Sequence, residues 1–238
     1  VPANAAQGFT YARFRLNHQG GLTPVGLATD GEVEDYRFNI SPDLDFGDAP
    51  APYPTLLADN GARHGVSRSI HLGFFADGEQ DGQPNNSAIG DDINPAQPGD
   101  EDGVFFIGPV IQGEIATVQV VASVQGLLYA WVDFNINGSW ADAGERIFNG
   151  VSLNPGTNTL TFSVPANAKS GRTISRFRFT TLSTPVDYVG LVGNGEVEDH
   201  ILTVITDRER CDHNCEGKEY WLTFPGNYAP DPDNPARL

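Results

Sequence analysis

Cysteine is almost absent from this sequence of 238 residues, and its only two copies, Cys211 and Cys215, lie near the C-terminal end. The first 210 residues therefore cannot depend on a framework of disulfide bonds. Long apolar runs are also missing, so no segment resembles a membrane span and we expect no membrane insertion. No signal peptide is present and the sequence begins at Val1, which predicts a processed fragment or a slice of a longer protein.

Basic residues are scarce, with 14 lysines and arginines against 31 aspartates and glutamates and a formal net charge of −17. Such an acidic surface repels nucleic acid and anionic membranes, so we expect no nucleic-acid partner. The acidic groups also repel one another, and divalent cations such as Ca²⁺ are one means of neutralising them. The alternative is that the acidity only keeps a secreted protein soluble.

Sequence motifs of common enzyme classes are missing as well. The sequence has no Gly-x-Ser-x-Gly elbow, no phosphate-binding loop and no His-Glu-x-x-His motif, and none of its five histidines has the context of a catalytic triad. Paired carboxylates are abundant and could imitate those of a glycosidase, but their spacing in glycine-rich loops fits calcium better. We therefore expect a protein that is not an enzyme.

Glycine and proline are frequent, with 27 and 17 residues, and they divide the sequence into short apolar runs. This texture is typical of short strands joined by turns, and there is no convincing amphipathic helix. Leu160, Phe162 and Val164 are expected on one buried face, and Ile174 is expected to point inward. The pattern predicts an all-β fold, an antiparallel β-sandwich. Strands are predicted at residues 117–124, 127–134, 157–165, 174–181 and 196–205.

One segment of the sequence occurs twice. Residues 1–40 contain VPANAAQGFTYARFRL and DGEVEDYRFNI, and residues 164–205 contain VPANAKSGRTISRFRF and NGEVEDHILTVI. The offset between the copies changes from 163 to 164, so one residue is inserted within the second copy. Identity of this density indicates an internal duplication, and therefore an elongated array of repeated domains.

The duplication divides the sequence into four parts. The expected boundaries are 1–40 for the C-terminal part of a first β-domain, 41–103 for an acidic linking segment, 104–206 for a complete β-sandwich, and 207–238 for a tail with the start of a further domain. The missing strands of the first domain would come from an adjacent domain of the same long protein or from another copy of the chain.

The sharpest motif lies in residues 133–145, which we call the acidic loop. Asp133, Asn135, Asn137 and Gly138 occupy positions 1, 3, 5 and 6 of a calcium-binding loop, where oxygen ligands alternate and glycine permits the sharp turn. The simpler alternative is an Asn-Gly hairpin turn. The other candidate ligands in this loop are Ser139, Asp142 and Glu145. The expected architecture is therefore a series of antiparallel β-sandwich repeats with calcium-binding loops.

The linking segment contains a second acidic stretch, residues 76–103, which has no lysine or arginine. Uncompensated carboxylates in such numbers leave a loop disordered unless cations neutralise them, so the alternatives are a calcium site and a flexible acidic linker. A site with two calcium ions is also compatible with the spacing. The candidate ligands are Asp77, Glu79, Asp81, Asp91, Asp92, Asp100, Glu101 and Asp102.

Several of these sequence words together resemble the GEVED domain of large secreted bacterial surface and adhesin-like proteins. The words are GEVEDY at 31–36, GEVED at 195–199, DFGDAP at 45–50, LLADNGARH at 56–64 and GDEDGV at 99–104. The resemblance implies a β-sandwich with an extracellular and non-catalytic role. His200 stands where the first copy has Tyr36. Residues 219–238 are similar to the opening of IgG-Fc-binding-like modules.

Two motifs keep alternative interpretations. Asp199 shares a strand face with Val197, and its partner at the margin of the core is either a metal ion or an arginine, Arg176 or Arg178. Cys211 and Cys215 are separated by three residues, which favours a small disulfide over half of a zinc site in an acidic secreted protein.

The sequence therefore predicts a structural module, stabilised by Ca²⁺, in an extracellular bacterial surface, matrix or filament protein. The alternative is an adhesin module that binds a glycan or a host surface protein through its loops. In that alternative, Trp140, Tyr188 or Tyr53 would be exposed and would stack on sugar rings.

Overall fold

The structure is a computed structural model that describes residues 8–40, 43–76, 78–90 and 99–206. The predicted all-β fold is confirmed, because in these ranges the chain forms strands, and its one helix is a single 3₁₀ turn at Leu57–Asp59. No helix in this part of the chain is long and apolar enough to cross a bilayer.

Thirteen strands form in the described ranges, and most of them pair in the antiparallel sense. The exceptions are two short parallel pairs, one between the last long strand and a two-residue strand, and one between a strand of the linking segment and a two-residue strand of the sandwich domain. The strands are β1 (Gly8–Leu16), β2 (Glu32–Ile40), β3 (Leu44–Phe46), β4 (Arg63–Gly65), β5 (Val104–Ile107), β6 (Val110–Ile111), β7 (Ile115–Ala122), β8 (Gly126–Val132), β9 (Arg146–Leu153), β10 (Gly156–Ser163), β11 (Gly171–Thr180), β12 (Leu191–Val192) and β13 (Glu196–Ile205).

Two sheets face each other across the main core. One has the strand order β10-β7-β5 and the other the order β6-β13-β11-β8-β9. Strand β7 alternates buried and less buried residues, as a strand with one face in a core should. Phe162 and Val164 are buried in this core and Leu160 packs against it, which confirms that they share one face. The two sheets therefore form the predicted sandwich.

Strand β11 is buried on both of its faces. Phe177 and Phe179 point into the main core, whereas Ile174 and the two arginines, Arg176 and Arg178, point to the opposite side and are also buried. The expected burial of Ile174 is confirmed, but it lies in a second apolar cluster. The sequence pattern alone does not reveal this cluster, because arginines alternating with phenylalanines are typical of a strand with one solvated face.

The linking segment covers this second face. Its strands β3 and β4 pair with each other, and β4 pairs with β12, so the segment is hydrogen-bonded to the sandwich domain. Its Ala49 and Tyr53 pack in the second cluster with Trp131 of β8, Trp140 and Ile174. The linking segment is therefore a folded layer of the domain in the described ranges, because its apolar residues have their partners on the sandwich.

Strands β1 and β2 form a two-stranded sheet of their own, with Arg13 opposite Asp35 as Arg176 is opposite Asp199. The glycine that begins each copy of the GEVED sequence has a positive φ, 94° at Gly31 and 111° at Gly195. A Cβ atom at either position would collide with a carbonyl oxygen of the partner strand. The duplicated sequences therefore form the same hairpin, and glycine is needed at its entry for the same steric reason.

The two hairpins differ in what covers them. In the first copy Phe14 is 61% exposed and Val33 is 52% exposed, whereas the equivalent Phe177 and Val197 are 0% and 2% exposed. No strand among the described residues pairs with the outer edges of β1 and β2. The first hairpin therefore presents apolar side chains and two strand edges that the second hairpin buries.

This difference predicts unequal effects of one substitution made in the two copies. Phe177→Ala should lower the free energy of unfolding by about 3–5 kcal/mol, because it leaves a cavity in a closed core. Phe14→Ala should change it by less than about 0.5 kcal/mol, because the ring is largely in water. Urea unfolding of both variants checks this, and a large loss for Phe14→Ala would mean that the first hairpin is buried in solution.

Candidate functional site

A buried ion pair lies where the linking segment meets the sandwich. Nε and Nη2 of Arg176 donate to Oδ1 and Oδ2 of Asp199 at 2.8 and 2.7 Å, and both side chains are fully buried. Nη1 of Arg176 donates to the carbonyl oxygens of Pro54 and Tyr188 at 2.8 and 2.9 Å. The guanidinium also lies over the Trp140 ring, 4.5 Å from its centre. Of the two expected partners of Asp199, the structure supplies the arginine.

Arg178 makes a second set of buried contacts to the same segment. Its Nε donates to Nε2 of His64 at 3.0 Å, and its Nη2 donates to the carbonyl oxygens of Arg63 and Gly190 at 3.1 and 2.8 Å. The Nδ1–H of His64 donates to the carbonyl oxygen of Asn194 at 2.7 Å. These contacts require a neutral imidazole, and burial, followed by the charge of Arg178, holds the pKa of His64 well below its usual value.

Carboxylates in both parts then bind backbone N–H groups across the boundary. Ala49 N–H donates to Oδ2 of Asp199 at 2.8 Å, and Val197 N–H donates to Oδ2 of Asp45 at 2.5 Å. Gly47 lies between them, and a Cβ atom there would collide with Oδ2 of Asp199. The DFGDAP and GEVED sequences therefore form one interlocking contact, which explains why glycine and acidic residues occur together in both.

The first copy retains the internal half of this arrangement. Nε and Nη2 of Arg13 donate to the two oxygens of Asp35, both at 2.7 Å. Arg15 donates to the carbonyl oxygens of Thr23, Val25 and Gly26 at 2.7, 3.0 and 2.7 Å, much as Arg178 binds the corresponding loop of the second copy. The pair is about half exposed, because no linking segment lies over it among the described residues.

In the acidic loop, Asp133 is fully buried and holds the turn together. Its Oδ1 accepts Asn137 N–H at 3.2 Å, and its Oδ2 accepts Gly138 N–H at 2.8 Å and the Tyr53 hydroxyl at 2.7 Å. A Cβ atom at Gly138, which has φ +83°, would collide with Pro52 of the linking segment. Sequence reasoning missed the role of Tyr53, because it depends on a contact across 80 residues.

The remaining oxygens of the acidic loop surround a cavity of about 80 Å³, whose lining includes Asn135, Asp142 and Glu145. Oδ2 of Asp142 accepts the side-chain amides of Asn135 and Asn137 at 3.0 and 2.8 Å. Oδ1 of Asn135 and Oε1 of Glu145 are buried and have no hydrogen-bond partner among the described residues. Burial and the charge of Asp133 raise the pKa of Glu145 to about 7. These oxygens suit a hard cation such as Ca²⁺.

Ser139 contributes to the shape of the loop. Its N–H donates to Oδ1 of Asn137 at 2.9 Å, and its Oγ accepts Ala141 N–H at 3.1 Å. Across the described ranges, no three histidine, cysteine, aspartate or glutamate side chains are grouped closely enough to form a ready-made metal cluster. A cation in the acidic loop would therefore need amide or backbone oxygens in addition to Asp142 and Glu145.

The acidic residues of the linking segment accept backbone hydrogen bonds. Oδ1 of Asp81 accepts Leu57 N–H at 2.6 Å, and Oδ1 of Asp102 accepts Phe74 N–H at 2.9 Å. Glu79 accepts Phe46 N–H. Asp100 is buried and Glu101 is half-buried. The other predicted site residues, Asp77, Asp91, Asp92, Cys211 and Cys215, lie outside the described residues.

The expectation of exposed aromatic side chains for sugar stacking is wrong. Trp140 and Tyr53 are only 2% and 8% exposed, and their ring centres lie 4.4 Å apart. Tyr188 is half-buried, with its ring centre 6.3 Å from that of Trp140. The rings pack together because the linking segment covers this face of the sandwich and places its Tyr53 against Trp140.

The structure also brings in polar residues that were not predicted as site residues. His64 is fully buried beside Arg178, and Glu196 and Glu198 are fully buried in β13. A signal was present for each, since His64 belongs to the LLADNGARH word and the glutamates to the GEVED word. Alternation along a strand cannot show that both faces are covered, and so it did not place the two glutamates.

These features define the class of the protein as an all-β domain of two facing sheets with a linking segment bound to the outer face of one sheet. Residues 127–203 match the family model described as the GEVED domain, from β8 into β13. The match includes the second GEVED sequence and agrees with the resemblance that the sequence words indicated. No curated protein matches the chain.

The ion pairs of the two copies provide a matched test of the contact between the linking segment and the sandwich. Asp199→Asn should lower the free energy of unfolding by about 3–5 kcal/mol, because it leaves the Arg176 charge buried without a counter-ion. Asp35→Asn should cost much less than Asp199→Asn, because water screens that pair. Guanidinium unfolding measures both, and equal losses would contradict the role assigned to burial.

His64 predicts a loss of stability in acid. Its folded pKa is depressed, so below about pH 6.5 the unfolded chain binds a proton that the folded chain does not. Each pH unit below that value should cost about 1.4 kcal/mol while His64 remains neutral in the fold. We therefore expect the free energy of unfolding, measured with urea, to fall more between pH 7.5 and pH 5.5 for the wild type than for the His64→Gln variant. Identical pH dependence of the two proteins would refute the prediction.

Proposed function

We propose that this chain is a structural module of an extracellular bacterial surface, matrix or filament protein, stabilised by Ca²⁺ and built from repeated GEVED domains. The proposal depends most on the acidic loop, where buried oxygens of Asn135 and Glu145 have no hydrogen-bond partner in the described part of the chain and line the same cavity as Asp142. Calcium takes six to eight oxygen ligands from carboxylates, amides, backbone carbonyls and water, and this loop supplies the first two kinds.

The overall charge supports calcium as well. A net charge of −17 on 238 residues disfavours a compact state through self-repulsion. The position of the loop adds a mechanical reason, because Asp133 is bonded to Tyr53 of the linking segment at 2.7 Å. A cation that orders the acidic loop would therefore also stiffen the connection between one domain and the segment that precedes it.

The exposed first hairpin supports the repeated arrangement. Its arginine and aspartate keep the bidentate geometry of the second copy, while Phe14 and Val33 remain exposed. In the second copy the same positions are covered by the linking segment and by strands of the sandwich. The partner that fits the first hairpin is therefore a unit equivalent to residues 43–163, from an adjacent domain of the same long protein or from another copy. Repetition of this contact would build a rod without any catalytic site.

Removal of calcium tests the proposal. Wild-type protein should melt at a markedly lower temperature in EDTA than in CaCl₂, because an ion that binds only the folded state stabilises it by about 2.7 kcal/mol at a hundredfold excess over Kd. Glu145→Gln should lose a large part of this calcium-dependent increase. Asp59→Asn, in the exposed 3₁₀ turn, is the matched control and should keep it.

The residue chosen for substitution and the method of measurement both keep the test specific to the cation. Asp133 is a poor choice for substitution, because its carboxylate accepts three hydrogen bonds that the fold needs with or without a cation. Differential scanning calorimetry with verified metal removal gives the melting temperatures directly. Melting curves that are identical in EDTA and CaCl₂ would refute calcium stabilisation.

A further inference from the structure

Two glutamates of β13 are buried on the interior side of the sandwich. Glu198 lies opposite Phe177 and Glu196 opposite Phe179 in the β11–β13 pairing, and side chains directly opposite each other point to the same face. Both phenylalanines belong to the main core. The two carboxylates are therefore next to each other along one strand, at the end of an apolar core, and both are fully buried.

Few groups balance these charges. Glu196 accepts Leu72 N–H, and Oε1 of Glu198 accepts Gly103 N–H at 2.9 Å. Within the described part of the chain, the only basic side chain bonded to either glutamate is His200, with Nε2 2.8 Å from Oε2 of Glu198. The two buried arginines of β11 are on the opposite face of the sheet, where they bind Asp199 and His64.

Oε1 of Glu196 has no hydrogen-bond partner among the described residues, although the side chain is fully buried. A buried carboxylate oxygen without a partner is costly, because it loses its hydration and gains nothing in return. Burial and then the charge of Glu198 raise the pKa of Glu196 well above its usual value. The pKa of Glu198 is also raised by burial. The pair is therefore poorly suited to remain ionised with its protein neighbours alone.

The linking segment adds more acid at this point. The charges of Asp45 and Asp100 both act on Glu196, and that of Asp102 acts on Glu198. Asp100 is 4% exposed. Asp100 and Asp102 lie just before Gly103, whose N–H donates to Glu198. Burying so many like charges together opposes folding. A divalent cation bound among these carboxylates would attract each of them and so offset their repulsion.

We propose that Glu196 and Glu198 are ligands of a second divalent cation, Ca²⁺, bound between β13 and the turn at Asp100–Asp102 of the linking segment. Oε1 of Glu196 is the oxygen available to it, and Asp100 is a further buried carboxylate whose charge acts on Glu196. Water and backbone oxygens would complete the six to eight ligands. The inference extends the proposed calcium stabilisation but concerns different residues from the acidic loop.

The site gives the GEVED sequence a physical meaning. One face of the strand carries Asp199, which binds Arg176 and Ala49 N–H of the linking segment, and the other face carries Glu196 and Glu198. A cation on the second face would bind the same segment at Asp100. The acidic residues of the strand would then hold the linking segment from both sides of the sheet.

Glu196→Gln separates a cation ligand from a structural hydrogen-bond acceptor. Glutamine keeps an oxygen for Leu72 N–H and removes the negative charge. A ligand role predicts a reversal, in which the variant melts at or above the wild-type temperature in EDTA and below it in CaCl₂. A structural role predicts the same difference between the two proteins in both buffers, and that result would overturn the proposal.

The first copy provides the control, because Glu32 occupies the position of Glu196 in an exposed hairpin. Glu32→Gln should follow the wild-type melting curve in both buffers. Glu145→Gln removes a proposed ligand of the acidic loop and should lose that site's share of the calcium effect. Glu196→Gln made in the Glu145→Gln protein should still show the reversal. The failure of one site can therefore be distinguished from the failure of the other.

A measurement on the wild-type protein decides the matter if Glu196→Gln does not fold. The N–H groups of Leu72 and Gly103 bind the two glutamates directly, so hydrogen exchange at these amides should slow when CaCl₂ is added. The N–H of Ala49 is bound to Asp199 on the opposite face of the sheet. The change in its exchange rate on addition of CaCl₂ serves as the comparison for Leu72 and Gly103. Unchanged exchange at both Leu72 and Gly103 would overturn the proposal.

Discussion

The fully buried pair of Arg176 and Asp199 is the interaction on which the rest of the domain depends. Removing two charges from water costs several kcal/mol per ion, and the pair is stable only when the remaining hydrogen-bonding groups are satisfied. The linking segment satisfies them, through the carbonyl oxygen of Pro54 and the N–H of Ala49. The segment also packs apolar residues on the sandwich, with Ala49 and Tyr53 in the cluster around Trp140 and Leu72 in the main core. Segment and sandwich therefore form one cooperative unit.

The domain accommodates its buried acids in three different ways. Asp199 has an arginine, and Asp133 has two backbone N–H groups and the hydroxyl of Tyr53. Glu196 and Glu145 each keep one buried oxygen that has no hydrogen-bond partner within the described ranges. The first two arrangements are complete within the protein, whereas the third leaves a role for cations. This contrast is why calcium enters the proposals at Glu145 and Glu196 and not at Asp199 or Asp133.

The two copies of the repeat show how context changes the same sequence. The Arg-Phe-Arg and Gly-Glu-Val-Glu-Asp words form hairpins of identical register and make matching bidentate pairs in both copies. Only the second copy is covered, so Val197 is buried and Val33 is exposed. The hairpin itself forms through local strand pairing and a glycine turn. How much each residue contributes to stability depends on whether other parts of the fold cover the hairpin.

The all-β class and the duplicated hairpin could be predicted from the sequence, because strand alternation and repetition are local properties of the chain. The spacing of oxygen-bearing residues also predicted a calcium site in the acidic loop, which stays a prediction. For Asp199 the sequence offered a metal ion or an arginine as the partner, and the fold supplies Arg176. The burial of Trp140 and Tyr53 and the position of Glu196 and Glu198 inside the sandwich likewise follow from the fold. Each of these outcomes depends on the contact between the linking segment and the sandwich. That contact joins residues more than 100 positions apart, as in the bond of Ala49 to Asp199, and no local pattern encodes it.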